Sequence, residues 1–432
     1  MANDGIVAES YTAPRASWID EAVFLAFLLL AFVGLTPFSG SPPDVTVAGQ
    51  VVAGGGAGDL ARQLCYLVVL AAVMIETVRK RGSAAFSALP LLLLLLLAWC
   101  MMSAAWSGAP LVSIRRAGLA VVLVLCAMLS VETIGVNRAL VLLRWVLLAV
   151  LIVNFISIPL IPTAVHLPGE EDPNLVGDWR GLYTHKNIAG SVGAMTAIVF
   201  LFSPRETQRR LFFDVAVALA AIAFTVMTRS KSSLGLLAIA LALGLVYRIA
   251  WKKDLDRVIV VVAGAVLLVF AVALIVADQG AIMRLFEDPD EFTGRTEIWQ
   301  AEIAFIRDHA LLGAGFGTFS DTGGLSPLHN YIGNGSWVNE ASHGHNGYLQ
   351  ILVTTGIVGF ALALASLVVE PALELWRRGG DLRLKALLFT LFAFLLLHNL
   401  METDFLEGDG VTWVTFLLLM AMLGKMRRSE AA

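Results

Sequence analysis

The sequence predicts an all-α polytopic membrane protein of about twelve transmembrane helices, and three observations predict it. Apolar residues make up 58% of the 432 and charged residues only 15%, with a mean hydropathy of +0.79, more apolar sequence than a soluble core can use. The apolar residues gather into stretches long enough to cross ~30 Å of hydrocarbon at ~1.5 Å per helical residue. Lys and Arg concentrate in alternate loops, the pattern that orients a multi-pass chain.

In chain order, the apolar stretches fall near 20–39, 60–78, 85–102, 117–131, 139–160, 187–203, 211–228, 232–248, 257–277, 346–369, 384–400 and 409–424. With both termini inside, every inner loop is basic, from Arg79-Lys80-Arg81 through Arg205, Arg209 and Arg210 to Arg377 and Arg383 and finally Lys425, Arg427 and Arg428. Arg144 falls just within a helix near its inner end, where a long side chain can snorkel. The N-terminus is polar and poorly basic, so the first span is expected to be a retained anchor rather than a cleaved signal. Cys65, Cys100 and Cys126 all fall in spans and read as small core residues, which suggests neither a disulfide nor a cysteine-based zinc site. The net charge of −4 singles out no partner, and no nucleic-acid motif is present.

The chain therefore reads as a single integral membrane domain over 1–432, with a long extracytoplasmic loop at 278–345 between the ninth and tenth helices. Within that loop, Ile298, Trp299, Ile303, Phe305, Ile306 and Leu311 alternate with charged residues, predicting a short amphipathic helix along the membrane interface. It ends at Gly313-Ala-Gly315-Phe-Gly317, which lacks the preceding strand and Gly-Lys-Ser/Thr ending of a phosphate loop. A structureless loop of this length is expected to be a lid.

All seven histidines, His166, His185, His309, His329, His343, His345 and His398, fall on the outer side under this topology. The most informative is His345. It stands at the mouth of an apolar helix with Asn346 beside it and Gly356 and Gly359 below. On a continuous helix, eleven steps of ~100° return Gly356 to the histidine's face. The two glycines would let that face press against a neighbour and aim the histidine into the protein.

The outer ends of four inward-running spans carry cations or histidine: Arg115-Arg116, then Arg180 with His185 and Lys186, then Arg229 with Lys231, and His343 with His345. A cation at a helix N-terminus opposes the macrodipole by ~0.3–1 kcal/mol, so the repetition asks for a compensating anion. A phosphate or diphosphate would supply it, through free N–H groups and bidentate arginine; lipid headgroups or nearby acidic loops are the alternative.

These residues resemble the O-antigen ligase and O-antigen polymerase superfamily of bacterial envelope enzymes, over roughly residues 175–360. The resemblance rests on Arg180-Gly-Leu-Tyr-Thr-His185-Lys186-Asn187, on Arg229-Ser-Lys231-Ser-Ser, on Gly294-Arg295 with the Gly313 to Gly317 run, and on the His345 motif. It implies a metal-independent glycosyltransferase of the membrane GT-C type, without cofactors, in the bacterial inner membrane with its active site facing the periplasm. The donor would be an undecaprenyl-diphosphate-linked saccharide and the acceptor a glycan or lipid-linked glycan hydroxyl, with membrane lipid and other polysaccharide-assembly proteins as further partners. His345 would be the catalytic base, and Arg180, Arg229, Arg295 and Lys186 the diphosphate contacts. His343, His185, Asn187, Asn346 and Lys231 would be accessory. Lys186 and Phe360 depart from the ligase pattern and bring the chain closer to exopolysaccharide polymerases, with ligation of polysaccharide to lipid A-core as the alternative.

A multi-pass transporter or flippase is the rival class. Such carriers place ionisable groups near the midplane, whereas Arg144 and Asp214 lie towards inner helix ends and Asn154 is the notable polar residue deep in a span. A metal-dependent transferase would need more than the bare Asp288-Pro-Asp290.

Overall fold

The structure, a computed structural model, describes residues 17–39, 60–168, 170, 175–204, 207–252, 295–320, 322–332, 344–377 and 379–431. The stretch expected at 257–277, Asp288-Pro-Asp290 and His343 lie outside these residues. Each other predicted stretch contains helix, although that expected at 20–39 is helical only to Phe32. The helices are α1 (Trp18–Phe32), α2 (Leu60–Arg81), α3 (Leu91–Met102), α4 (Pro110–Ile134), α5 (Val136–Leu160), α6 (Lys186–Phe202), α7 (Gln208–Met227), α8 (Lys231–Lys252), α9 (Arg295–Asp308), α10 (Gly347–Ala363), α11 (Glu370–Trp376), α12 (Leu382–His398) and α13 (Val411–Ala431). Among the described residues, six apolar helical segments are long enough to cross a membrane, one of them the run Gly347–Trp376, while Leu91–Ala105 and Lys186–Phe202 are apolar but shorter.

Local chemistry sets the helix ends. Ser17 and Asp20 form a capping box at α1, Pro110 opens α4, and Asp381 caps α12 through the Arg383 and Leu384 N–H groups, each meeting N–H groups or a φ requirement that the first turn leaves open. Gly135, at φ +82°, divides α4 from α5.

The helices share one apolar core in which Trp413, Phe416 and Phe405 meet Phe392 and the walls of α4, α6 and α12. Outward-facing Leu64, Val68 and Ile75 of α2, Trp145 of α5 and Leu219 of α7 remain exposed, as helices bathed in hydrocarbon require. One end of the bundle is tied by ion pairs: Glu132 with Arg81, Lys425 and Arg428, Asp20 with Lys80, and Glu21 with Arg138. The opposite end holds the described His166, His185, His345 and His398.

Between Gly347 and Ala363 the structure corrects the sequence reading. Gly356 sits at φ +66°, ψ −174°, so α10 is broken there and the same-face relation of His345 to Gly356 does not hold. The Gly313-Ala-Gly315 segment fills the break: Ala314 N–H donates to the Val353 carbonyl and Gly315 N–H to Thr354, both at 2.9 Å, while Ile357 N–H reaches Ala310 at 2.8 Å. Trp99 Nε1 donates to the Thr355 carbonyl at 2.9 Å. Irregular backbone is tolerated at membrane depth only where protein satisfies it in this way. The expected amphipathic helix is α9, whose buried face, Ile298, Ala301, Glu302 and Phe305, follows helical spacing. With Phe319, Leu328 and Val353 it forms a small core over the N-terminal half of α10.

Candidate active site

His345 lies in the turn entering α10, at φ +50°, while Asn346 caps the helix by accepting the Tyr348 and Leu349 N–H groups at 3.1 Å each. The loop between α12 and α13 brings a carboxylate to it: His345 Nδ1 stands 2.9 Å from Glu402 Oε2. The other oxygen, Oε1, accepts from Asn187 Nδ2 at 2.7 Å. Glu402 thus joins two sequence-predicted residues without itself having been singled out. A carboxylate at Nδ1 selects the tautomer with Nδ1–H towards it and leaves the lone pair on Nε2, the arrangement of an oriented general base. The His345 side chain is 27% exposed, so that base is within reach of a substrate.

The cations of the second cluster find their anions inside the protein. Arg180, wholly buried, makes a bidentate pair with Glu170 at 2.8 and 3.0 Å and donates from Nε to the Thr163 carbonyl at 2.8 Å. Asp178, also buried, receives Lys186 Nζ at 2.6 Å and Arg229 Nη1 at 3.2 Å. The opposed macrodipoles are therefore compensated by Glu170 and Asp178, and a wholly buried Arg180 does not fit the direct diphosphate contact expected of it. It holds the turn that leads into His185 and the start of α6, through Glu170 and the Thr163 and Thr184 carbonyls. Arg180→Ala is accordingly expected to cost about 3–5 kcal/mol by stranding Glu170 and the loop carbonyls, read as a lowered melting temperature of the detergent-purified protein. An unchanged melting temperature would contradict the supporting role.

His185 is the N-cap of α6, its Nδ1 accepting the Asn187 N–H at 3.2 Å. Burial pushes it down to about 3, against the opposing pull of Glu402. It is neutral at physiological pH and too weak a base to compete with His345. His166, missed as a site residue, stacks edge-on to His185 at 5.5 Å between ring centroids and bridges Glu170 at 2.7 Å to the Lys186 N–H at 3.3 Å. Burial lowers it also.

Arg229, at φ +50° and 70% exposed, turns the chain into α8, which begins at Lys231. Ser233 of that helix meets His398 Nε2 at 3.5 Å, and His398 Nδ1 meets Asp404 at 2.7 Å. Arg295 opens α9, and its side chain lies outside the described part. Among the described residues no three His, Cys, Asp or Glu converge as metal ligands do.

A cavity of about 770 Å³ opens beside these groups. Arg115, Arg116 and Arg62 line one wall, while Asn187, Glu402 and Asp404 line another. Arg116 reaches it past Gly317, whose carbonyl accepts from the guanidinium and whose missing Cβ would stand 2.6 Å from the Arg116 Cδ. Arg115 and Arg116, expected ahead of a span, lie instead inside α4, which begins at Pro110; the Gly313 to Gly317 run brought against Arg116 was not legible in the sequence.

The O-Antigen ligase family matches residues 216–364, which contain Arg229, α9, His345 and the Gly356 break. The exopolysaccharide production protein ExoQ of Rhizobium meliloti (strain 1021) is 27% identical over 342 residues, covering 76% of this chain and 75% of that protein. Both findings bear out the resemblance to the O-antigen ligase and polymerase superfamily, and with the apolar helices they support a glycosyl-transferring, multi-pass membrane protein.

Proposed function

We propose that this chain, similar to O-antigen ligases and polymerases, is a metal-independent membrane glycosyltransferase that polymerises exopolysaccharide or O-antigen repeat units on the periplasmic face of the bacterial inner membrane. In this reading the chain has about twelve spans in a GT-C-like arrangement, with both termini cytoplasmic. The donor is an undecaprenyl-diphosphate-linked saccharide and the acceptor a glycan hydroxyl. One observation carries the reading: His345 is paired with Glu402, and Glu402 lines a cavity whose lining also includes Arg62, Arg115 and Arg116.

The chemistry runs as one displacement. The acceptor hydroxyl gives its proton to His345 Nε2 while its oxygen bonds to the anomeric carbon, and the carbon–oxygen bond to the diphosphate breaks with its electron pair leaving on the diphosphate. The new glycosidic bond is inverted. Glu402 stabilises the imidazolium that forms, and fixed cations stabilise the growing negative charge of the leaving group in a water-poor site. Arg115 and Arg116 line the cavity, and Arg229 and Lys186 stand at neighbouring helix N-termini, so these four take the diphosphate role with Arg295, while Arg180 supports them. His343 and Lys231 remain accessory in this reading.

Reconstitution in proteoliposomes with an undecaprenyl-diphosphate-linked oligosaccharide tests it. Wild type should extend the glycan; Arg115→Gln with Arg116→Gln should weaken donor binding about tenfold or more, as loss of a charge-assisted hydrogen bond of ~1.5–3 kcal/mol implies. Unchanged donor affinity would remove the arginine wall from the mechanism, and no transfer by wild type would end the reading. A name concerned with exopolysaccharide production among the relatives favours polymerase over ligase. In a deletion strain, single repeats left on their anchor indicate a polymerase, and accumulated lipid-linked long chains indicate a ligase joining polysaccharide to lipid A-core.

A further inference from the structure

α9 carries a group that the proposed mechanism does not use. Glu302 is fully buried at a position where helical spacing calls for an apolar residue, and neither of its carboxyl oxygens has a hydrogen-bond partner among the described residues. Buried carboxyl groups without partners are rare because leaving one unpaired costs stability. Its carboxyl rests on Gly344, the residue before His345: a Cβ there would stand 2.6 Å from the Glu302 carboxyl carbon. One turn earlier on the same helix, Trp299 Nε1 donates to the Gly344 carbonyl at 2.7 Å. Two lid side chains therefore end on one peptide unit, and that unit hands the chain to His345 in its left-handed conformation.

We infer that Glu302, as a neutral carboxylic acid, is a positioning residue for the His345 base, and that α9 holds the histidine against Glu402 through the paired grip of Trp299 and Glu302 on Gly344. The inference rests on His345 being the base. An anionic Glu302 could not stay in this contact, because a charge without a partner in an apolar site draws water or moves out. Burial alone raises Glu302 to about 8. The elements packed on α9 bring His329, Tyr331, His345 and Tyr348 as their titratable groups, and none of them contributes to that shift. A group whose pKa is raised in the folded protein contributes fully below its ordinary carboxylate value, and its contribution is lost as pH rises through about 8.

Hydrogen exchange over residues 344–349 of the full-length protein in nanodiscs, corrected for intrinsic rates at pH 7 and pH 9, reads this without substrate. Wild type should lose protection at pH 9, and Glu302→Gln, which keeps the shape and cannot ionise, should keep it. Turnover with the undecaprenyl-diphosphate-linked oligosaccharide should follow: kcat of wild type falls about tenfold at one unit above the raised value, KM is unchanged, and Glu302→Gln lacks that fall. Equal protection of wild type at the two pH values, or superimposable profiles of wild type and Glu302→Gln, would overturn the inference. Transfer by His345→Ala would instead overturn the base assignment, leaving the exchange result to speak for Glu302 alone.

Discussion

His345→Ala is expected to lower glycosyl transfer by about 10²–10⁴-fold, the usual worth of a positioned general base, while donor binding in the same proteoliposomes stays within a fewfold of wild type. The separation follows from the geometry. His345 meets Glu402 at 2.9 Å, whereas the arginines of the cavity lining that would hold a diphosphate, Arg115 and Arg116, come from α4. Its loss removes the destination of the acceptor's proton and leaves the anion wall standing. Glu402→Gln should reproduce the defect in weaker form, because the amide holds the ring but cannot stabilise an imidazolium, and it also disturbs Asn187. A His345→Ala protein that turns over like wild type would require another base, and the strongly depressed His185 could not serve.

Much of this arrangement was legible in the chain because hydropathy and helix caps are local. Each apolar stretch with described residues contains helix, with 20–39 helical only to Phe32, and Asn346 and Ser17 cap the helices that follow them. His345 was legible for the same reason, as an imidazole at a helix mouth. What was not legible depends on partners far away in sequence. Glu402 is separated from His345 by 57 positions, and no spacing rule connects a loop after one span to the mouth of another. Asp178 and Glu170 stood inside the stretch from which the cations were read, yet a list of charges cannot say which carboxylates fold inward to meet them. Glu302 did leave a signal, a charged residue on the apolar face set by Ile298, Ala301 and Phe305, and helical spacing alone would have found it.

Gly356 is the second place where a single atom should have a large effect. From sequence it reads as a small residue for close helix packing. In the fold it is a break in α10 at a backbone conformation, φ +66° and ψ −174°, that belongs almost solely to glycine. A Cβ there would also stand 2.6 Å from the Leu312 nitrogen. Gly356→Ala therefore faces strain of about 1–3 kcal/mol and displacement of the segment that satisfies Val353 and Thr354, each stranded carbonyl costing about 1–3 kcal/mol more. The combined loss is about 3–9 kcal/mol, expected as a melting temperature well below that of wild type in detergent and as protease cleavage within 309–317. Because the same segment carries α9 into place over the N-terminal half of α10, the substitution should also abolish transfer, although no atom of Gly356 touches His345. Gly359→Ala is the informative comparison: Gly359 is helical and packs on Thr355 and Trp99, so it tests packing without the break. If the two variants melt together, packing accounts for both. If only Gly356→Ala releases the 309–317 segment, the broken helix is what anchors the lid over the base.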